Sequence, residues 1–253
     1  MAVTSGPSVL LDPAPSVLSR SAWSVSLPLL LFFVVAVSLN GPGGLPLLAD
    51  PDTQWHVTVG NWILDNGRFP TADVYSYTFP GQPWIAKEWG SQVILAATYD
   101  LGGWGAVTTL AAMAIGATFA LLLRLLLRDL RPFPALLFTL AALIMSAPHF
   151  LARPHVLAFP LILLWVSGLV RAVEARTAPP ARMLAIMLLW ANMHGGFTLG
   201  ILLAGAFALD ALVGARDAAE RKALFIGWAK FGIATVLVAC ITPYGPESIL
   251  VTS

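Results

Sequence analysis

Apolar residues in this chain fall in blocks, not in an alternating pattern. Seven runs stand out, at 24–40, 104–123, 132–149, 154–171, 181–193, 197–215 and 223–242. A helix needs about 20 apolar residues to cross about 30 Å of hydrocarbon. The blocks therefore predict an all-α, polytopic transmembrane bundle of about seven spans. Pro132, Pro134, Pro154, Pro179 and Pro180 stand at or near run starts, where a missing N–H costs nothing. Pro160 lies inside the fourth run and predicts a kink, since it removes an internal hydrogen bond. As one helix, 181–215 would be about 50 Å long, too long for a single crossing. A break at His194-Gly195-Gly196 makes it a hairpin whose first arm, 181–193, is only about 20 Å long.

The one long polar connection is 41–103, and a loop of that length is usually functional or structured. Asp50 is a good N-cap and Pro51 a good first helical residue, while Asn66-Gly67 is a stop signal. On that helix Trp55, Val59, Trp62 and Ile63 fall on one face, a stripe suited to lying flat on the outer membrane interface. A Pro/Gly/Tyr-rich stretch, 69–83, follows. A second interfacial helix is expected over 85–100, ended by Gly102-Gly103. The chain thus divides into a loose leader (1–23), a first span (24–40), the loop with its two helices (41–103) and a six-span bundle (104–253).

Composition supports a membrane class. The 253 residues are 58% hydrophobic and only 11% charged, against about 25% charge in soluble domains. The net charge of +1 gives no argument for nucleic acid, and the single Cys240 provides neither a disulfide framework nor a Cys-based metal site. With the N-terminus inside, the inner side holds Arg20, Arg124, Arg128, Arg131, Arg171, Arg176, Arg182, Arg216, Arg221 and Lys222. The outer side holds Arg68, Lys87 and Arg153. This asymmetry follows the positive-inside rule. Lys230, in the seventh run, is expected to snorkel to the inner interface beside Trp228; an intramembrane functional charge is the alternative. The first run also admits a signal-peptide reading with Ala36-Val37-Ser38 near a cleavage point.

The same topology puts Asp50, Asp52, Glu88, Arg153 and all four histidines (His56, His149, His155, His194) on the outer face. Each has an ordinary explanation. Asp50 and Asp52 suit a helix N-terminus, Glu88 suits a surface pair with Lys87, Arg153-Pro154-His155 suits an interfacial anchor, and Asn192 and His194 suit a polar turn. Together they suggest a site. Asp52 and His56 are i, i+4 neighbours. Asp50, Asp52 and His56 are candidate ligands for a divalent cation such as Mg²⁺ or Mn²⁺, and either Asp is a candidate general base. Arg153 is the best candidate for gripping an anionic head group, because guanidinium binds phosphate in a bidentate way. His155, Asn192 and His194 are candidate ligand contacts, with Gly195-Gly196 permitting close backbone approach.

As an ordered set these residues resemble bacterial multi-spanning membrane proteins related to the GT-C glycosyltransferase superfamily. The pattern is Asp50-Pro51-Asp52-Thr53-Gln54-Trp55-His56, Gly67-Arg68-Phe69-Pro70, Ser76-Tyr77-Thr78, Glu88-Trp89, Arg153-Pro154-His155, Trp190-Ala191-Asn192-Met193-His194-Gly195-Gly196-Phe197 and Pro243-Tyr244-Gly245-Pro246. The resemblance covers about residues 45 to 250. It implies an inverting sugar transfer outside a bacterial cytoplasmic membrane, from a polyprenyl-phosphate sugar donor to an acceptor the sequence does not name. Asp50 or Asp52 would be the base and Arg153 the phosphate ligand. Gln54 stands where the pattern would carry another aromatic. Relatives run on past the seventh span, which leaves room for donor or acceptor contacts beyond residue 253. A transporter or lipid flippase, with polar groups in broken helices, and a non-catalytic assembly subunit are the rival readings.

Overall fold

The computed structural model describes residues 26–41 and 46–250. The expected leader, 1–23, and the first two residues of the first run lie outside the described residues. Among the described residues the protein is all-α: α1 (Leu27–Asn40), α2 (Asp52–Asn66), α3 (Trp89–Leu126), α4 (Pro132–Ser146), a 3-10 turn (Ala147–His149), α5 (Pro154–Glu174), α6 (Met183–Met193), α7 (Phe197–Val213), α8 (Ala218–Ala239) and the single turn α9 (Glu247–Leu250).

Local chemistry sets most boundaries. The Ser26 hydroxyl accepts the Leu29 amide at the start of α1. Asp217 caps α8 by accepting the Glu220 amide at 2.8 Å, while Glu220 reaches back to the Arg216 amide, a reciprocal arrangement of the capping-box kind shifted by one residue. Pro132 and Pro154 open α4 and α5, and α5 continues through Pro160. Gly102 and Gly103 leave helical geometry inside α3, Gly103 with φ +60° and ψ −155°, a conformation essentially reserved for glycine. The expected break therefore divides α3 into a short arm, 89–101, and a long one, 104–126. The hairpin break at His194-Gly195-Gly196 is also present, between α6 and α7.

The count of full-length spans differs from the expected seven. Among the described residues four helical stretches are long and apolar enough to cross a membrane: Trp89–Leu126, Pro132–His149, Pro154–Glu174 and Ala218–Ala239. The other three apolar helices, Leu27–Asn40, Met183–Met193 and Phe197–Val213, extend only about 21, 17 and 26 Å at 1.5 Å per residue. Their ends lie within three residues of the ends of the apolar runs, which are themselves short. Gly41 follows α1 in an extended conformation, His194 does the same for α6, and Gly214 ends α7.

Helix α3 is the hub. Its long arm packs on α1 and α5, and its short arm on α2 and α6. One core gathers Leu31, Val107, Ile115, Phe119, Leu123 and Val156 around α3. A second gathers Trp165, Leu169, Met187, Trp190, Phe197 and Trp228 around α5 to α8, with the Trp165 indole donating to the Gly200 carbonyl at 2.9 Å. Trp228 belongs to this core and packs on Phe231, whereas Lys230 is exposed on α8.

Helix α2 does not present the expected tryptophan stripe as one free face. Val59, Gly60 and Ile63 turn inward with His56, and Trp55 meets Tyr75 and Trp84 edge to face. The α2–α3 approach is so close that a Cβ on Gly60 would lie 2.1 Å from the Gln92 carbonyl oxygen. Gly60→Ala should destabilise the protein by about 1–3 kcal/mol through overpacking. Gly232→Ala, in α8 with open space around it, should be neutral or stabilising by up to about 1 kcal/mol. Thermal melting of both variants in detergent checks this, and equal effects would contradict the packing.

Candidate functional site

The helices meet the two ends of the bundle with different chemistry. One end holds the turns 127–131, 175–182 and 214–217, with their arginines. There Arg128 pairs with Glu174 at 2.8 Å, and Arg176 donates to the Gly214 carbonyl at 3.0 Å. The other end holds α2, the start of α3, and the turns after α4, α6 and α8. The acids and histidines singled out from the sequence gather at this second end.

Arg153 is their centre. Its neighbour Pro154 disfavours helical geometry, so Arg153 is extended, with φ −126° and ψ 165°, just before α5. Its guanidinium forks: Nη1 donates to Asp50 Oδ2 at 2.8 Å and Nη2 to Asp52 Oδ2 at 2.7 Å. The Ala152 amide donates to the Leu47 carbonyl at 2.7 Å, so backbone and side chains both tie the segment before α2 to the start of α5. Asp50 also accepts the Asp52 amide at 2.9 Å. It thus acts as a helix-start acceptor, although α2 itself begins at Asp52, one residue later than expected. That amide and the Arg153 charge hold the Asp50 carboxyl below the usual range.

One turn along α2, His56 is buried and its Nδ1 accepts from Gln92 Nε2 at 3.3 Å, which leaves the ring proton on Nε2. Burial, then the nearby Arg153 charge, pushes its pKa down to about 4, so it is neutral at pH 7. The Thr53 hydroxyl and Gln92 Oε1 beside it are buried with no hydrogen-bond partner among the described residues. The cation site expected from Asp50, Asp52 and His56 is not brought together. Among the described residues no three such groups are arranged to hold a metal ion. The guanidinium occupies the two carboxylates and Gln92 occupies the imidazole nitrogen.

A second acid–histidine pair closes the site from the other side. Glu88 precedes α3, and burial raises its carboxyl pKa, opposed by Lys87 and the Gly195 amide. Its partner is His194 Nε2 at 3.4 Å, rather than the expected Lys87. The His194 Nδ1 accepts the Gly196 amide at 2.9 Å, so Nε2 carries the proton and points at Glu88. Burial, and then His155, lower the His194 pKa to about 4. The His155 ring lies 6.3 Å from that of His194 and donates through Nε2 to the His149 carbonyl at 2.9 Å.

Asn192 supports this corner. Its Oδ1 accepts from the Trp89 indole at 2.8 Å, and its Nδ2 donates to the carbonyls of Leu188 and Ile241 at 2.8 and 2.9 Å. The expected ligand contact is therefore engaged in joining α3, α6 and the end of α8. The Ser91 hydroxyl donates to the Met193 carbonyl, and a Cβ on Gly90 would lie 2.7 Å from the Asn192 carbonyl oxygen. The Tyr244 hydroxyl donates to the Pro70 carbonyl and accepts the Ala86 amide. Gln92, Trp89 and Tyr244 were not singled out as site residues from the sequence. For Gln92 the available signal was a long amide next to the apolar run Val93-Ile94-Leu95.

Comparison of the chain with protein-family models, with curated proteins and with solved structures finds no match.

The histidines generate a pH prediction. His56 and His194 have folded-state pKa values near 4, below the unfolded value of about 6.5. Between those values the unfolded chain binds more protons, so stability is full above about pH 6.5 and falls as pH drops towards 4. The raised Glu88 carboxyl acts with the opposite sign, losing stability as pH rises through its own range. Melting temperature in detergent should fall from pH 7 to pH 4.5, and His56→Gln should flatten that fall. An unchanged slope in the variant would contradict the burial of a neutral imidazole.

Proposed function

We propose that this chain is a membrane transferase of the GT-C glycosyltransferase kind. It would move a sugar from a polyprenyl-phosphate donor to an acceptor hydroxyl at the acid- and histidine-bearing end of the bundle, facing outward from a bacterial cytoplasmic membrane. One observation carries the reading. Ionisable groups from four separate segments — 50–56, 88, 153–155 and 194 — surround Arg153 at the end of an otherwise apolar bundle. Groups that are expensive beside hydrocarbon are placed together at functional sites. Their position at helix ends, not midway along the long helices, favours chemistry at an interface over transport across the bilayer.

The geometry supports a division of roles. Asp50 is held by both the Asp52 amide and Arg153, and its side chain is 20% exposed against 51% for Asp52. Asp52, with one recorded partner, is the better base, and Asp50 is a positioning residue. A donor phosphate would share the Arg153 fork and loosen its hold on Asp52. The acceptor oxygen then forms a bond to the anomeric carbon while its proton passes to Asp52. The bond from that carbon to the phosphate oxygen breaks, and the electron pair leaves on the polyprenyl phosphate beside Arg153. A single displacement inverts the anomeric centre. The neutral His194 presents its Nε2–H near Glu88, a donor available to the sugar or the phosphate.

Asp52→Asn should lower transfer by about 10²–10⁴-fold. Arg153→Lys should also lower it, because a point charge does not reproduce a bidentate fork. The measurement is a profile of lipid-linked sugars and glycans from cells carrying each variant beside wild type and a deletion. Full activity in Asp52→Asn would remove the proposed base, and full activity in Asp50→Asn would remove the positioning role of Asp50.

A further inference from the structure

At the end of the bundle opposite the candidate site, two recesses meet on α3. The larger, about 1130 Å³, runs between α1, the long arm of α3 and the start of α4, and is walled largely by apolar side chains such as Leu27, Phe32, Ala117 and Leu130. The smaller, about 350 Å³, lies between α3 and α5 and is lined by Arg124, Arg128 and Arg171 with Leu125, Leu164 and Ser167. Leu121 and Arg124 line both, so the apolar groove and the cationic cleft adjoin along α3.

A topology signal accounts for basic residues at this end, but not for three guanidinium groups from α3, the turn after it and α5 around one cleft whose lining carries no acid. Arg124 lies in the last turn of α3, Arg128 in the turn just after it, and Arg171 in the last turn of α5. Glu174 takes up part of the Arg128 charge from the side. Arg124 and Arg171 make no ion pair with any described residue. The ends of α3 and α5 each contribute about half a negative charge. The positive charge of the cleft is therefore carried by Arg124 and Arg171, Arg128 being offset by Glu174 and Asp129. Cationic pockets between helices at such an end recognise anionic lipid head groups.

We infer that this double recess is a binding site for one anionic phospholipid, its phosphate in the Arg124–Arg128–Arg171 cleft and its acyl chains in the groove beside α1. The site is independent of the proposed transfer chemistry, which lies at the other end.

The test is native mass spectrometry of the full chain released from micelles containing phosphatidylglycerol, phosphatidylcholine or free glycerol phosphate. Wild type should retain phosphatidylglycerol in preference to phosphatidylcholine. Removing two arginine charges in Arg124→Gln/Arg171→Gln should weaken that retention about thirtyfold, from about 1 kcal/mol for each arginine. Arg124→Lys/Arg171→Lys should preserve most of it, and Arg216→Gln/Arg221→Gln, at the same end but outside the cleft, should leave it intact. The proposal is overturned by unchanged retention in the double Gln variant, or by an equal loss in the Arg216/Arg221 control. Binding of glycerol phosphate as tight as that of the lipid would also overturn it, as would the lack of any lipid adduct on wild type.

Discussion

The Arg153 fork is the contact on which the acid-bearing end depends. Its two hydrogen bonds, 2.8 and 2.7 Å, join α5 to the segment that begins α2. The guanidinium is partly exposed, so as a surface ion pair it is worth at most about 1 kcal/mol. Its importance is therefore geometric. A planar fork fixes two carboxylates relative to each other and to the α4–α5 turn, and the Ala152–Leu47 backbone bond holds the same register. Without that register the acids would remain on a solvated loop and the histidines would lose their charged neighbour.

Around this fork the protein keeps its polar groups at two ends and its helices apolar between them. The two ends are built differently. At the arginine end, charges pair across turns, as Arg128 with Glu174 and Arg176 with Glu220. At the other end they are partly buried, and burial sets their protonation: neutral His56 and His194, and a Glu88 carboxyl raised towards protonation. Groups whose proton affinity is set by burial and by a neighbouring charge are the kind that perform proton transfer. Close glycine contacts make the burial possible, since Gly60 lets α2 reach α3 and Gly90 lets α3 reach the end of α6.

Much of the helical order was legible in the sequence because its signals are local. Proline starts, the Gly102-Gly103 break and the His194-Gly195-Gly196 turn depend on the residues that carry them. That Asp50, Asp52, Arg153 and the histidines share one end followed from counting apolar runs and alternating ends. What sequence could not supply was three-dimensional pairing. Nothing local says that Glu88 meets His194 instead of Lys87, that Asn192 is taken up by Trp89 and two carbonyls, or that Gln92 reaches His56. The span count failed because three of the apolar runs are themselves short, so that α1, α6 and α7 hold only 14, 11 and 17 residues. The orientation of α2 was misjudged because an aromatic stripe reads the same whether it faces lipid or other aromatic side chains.

The central claim is that the acids and histidines from segments 50–56, 88, 153–155 and 194 share one end of the bundle. Single cysteines placed at Asp52 and His194, in a Cys240→Ser background, report this directly through labelling of intact cells or sealed vesicles with a membrane-impermeant maleimide. The account predicts that Asp52→Cys and His194→Cys react from the same side. Labelling of the two from opposite sides would contradict it.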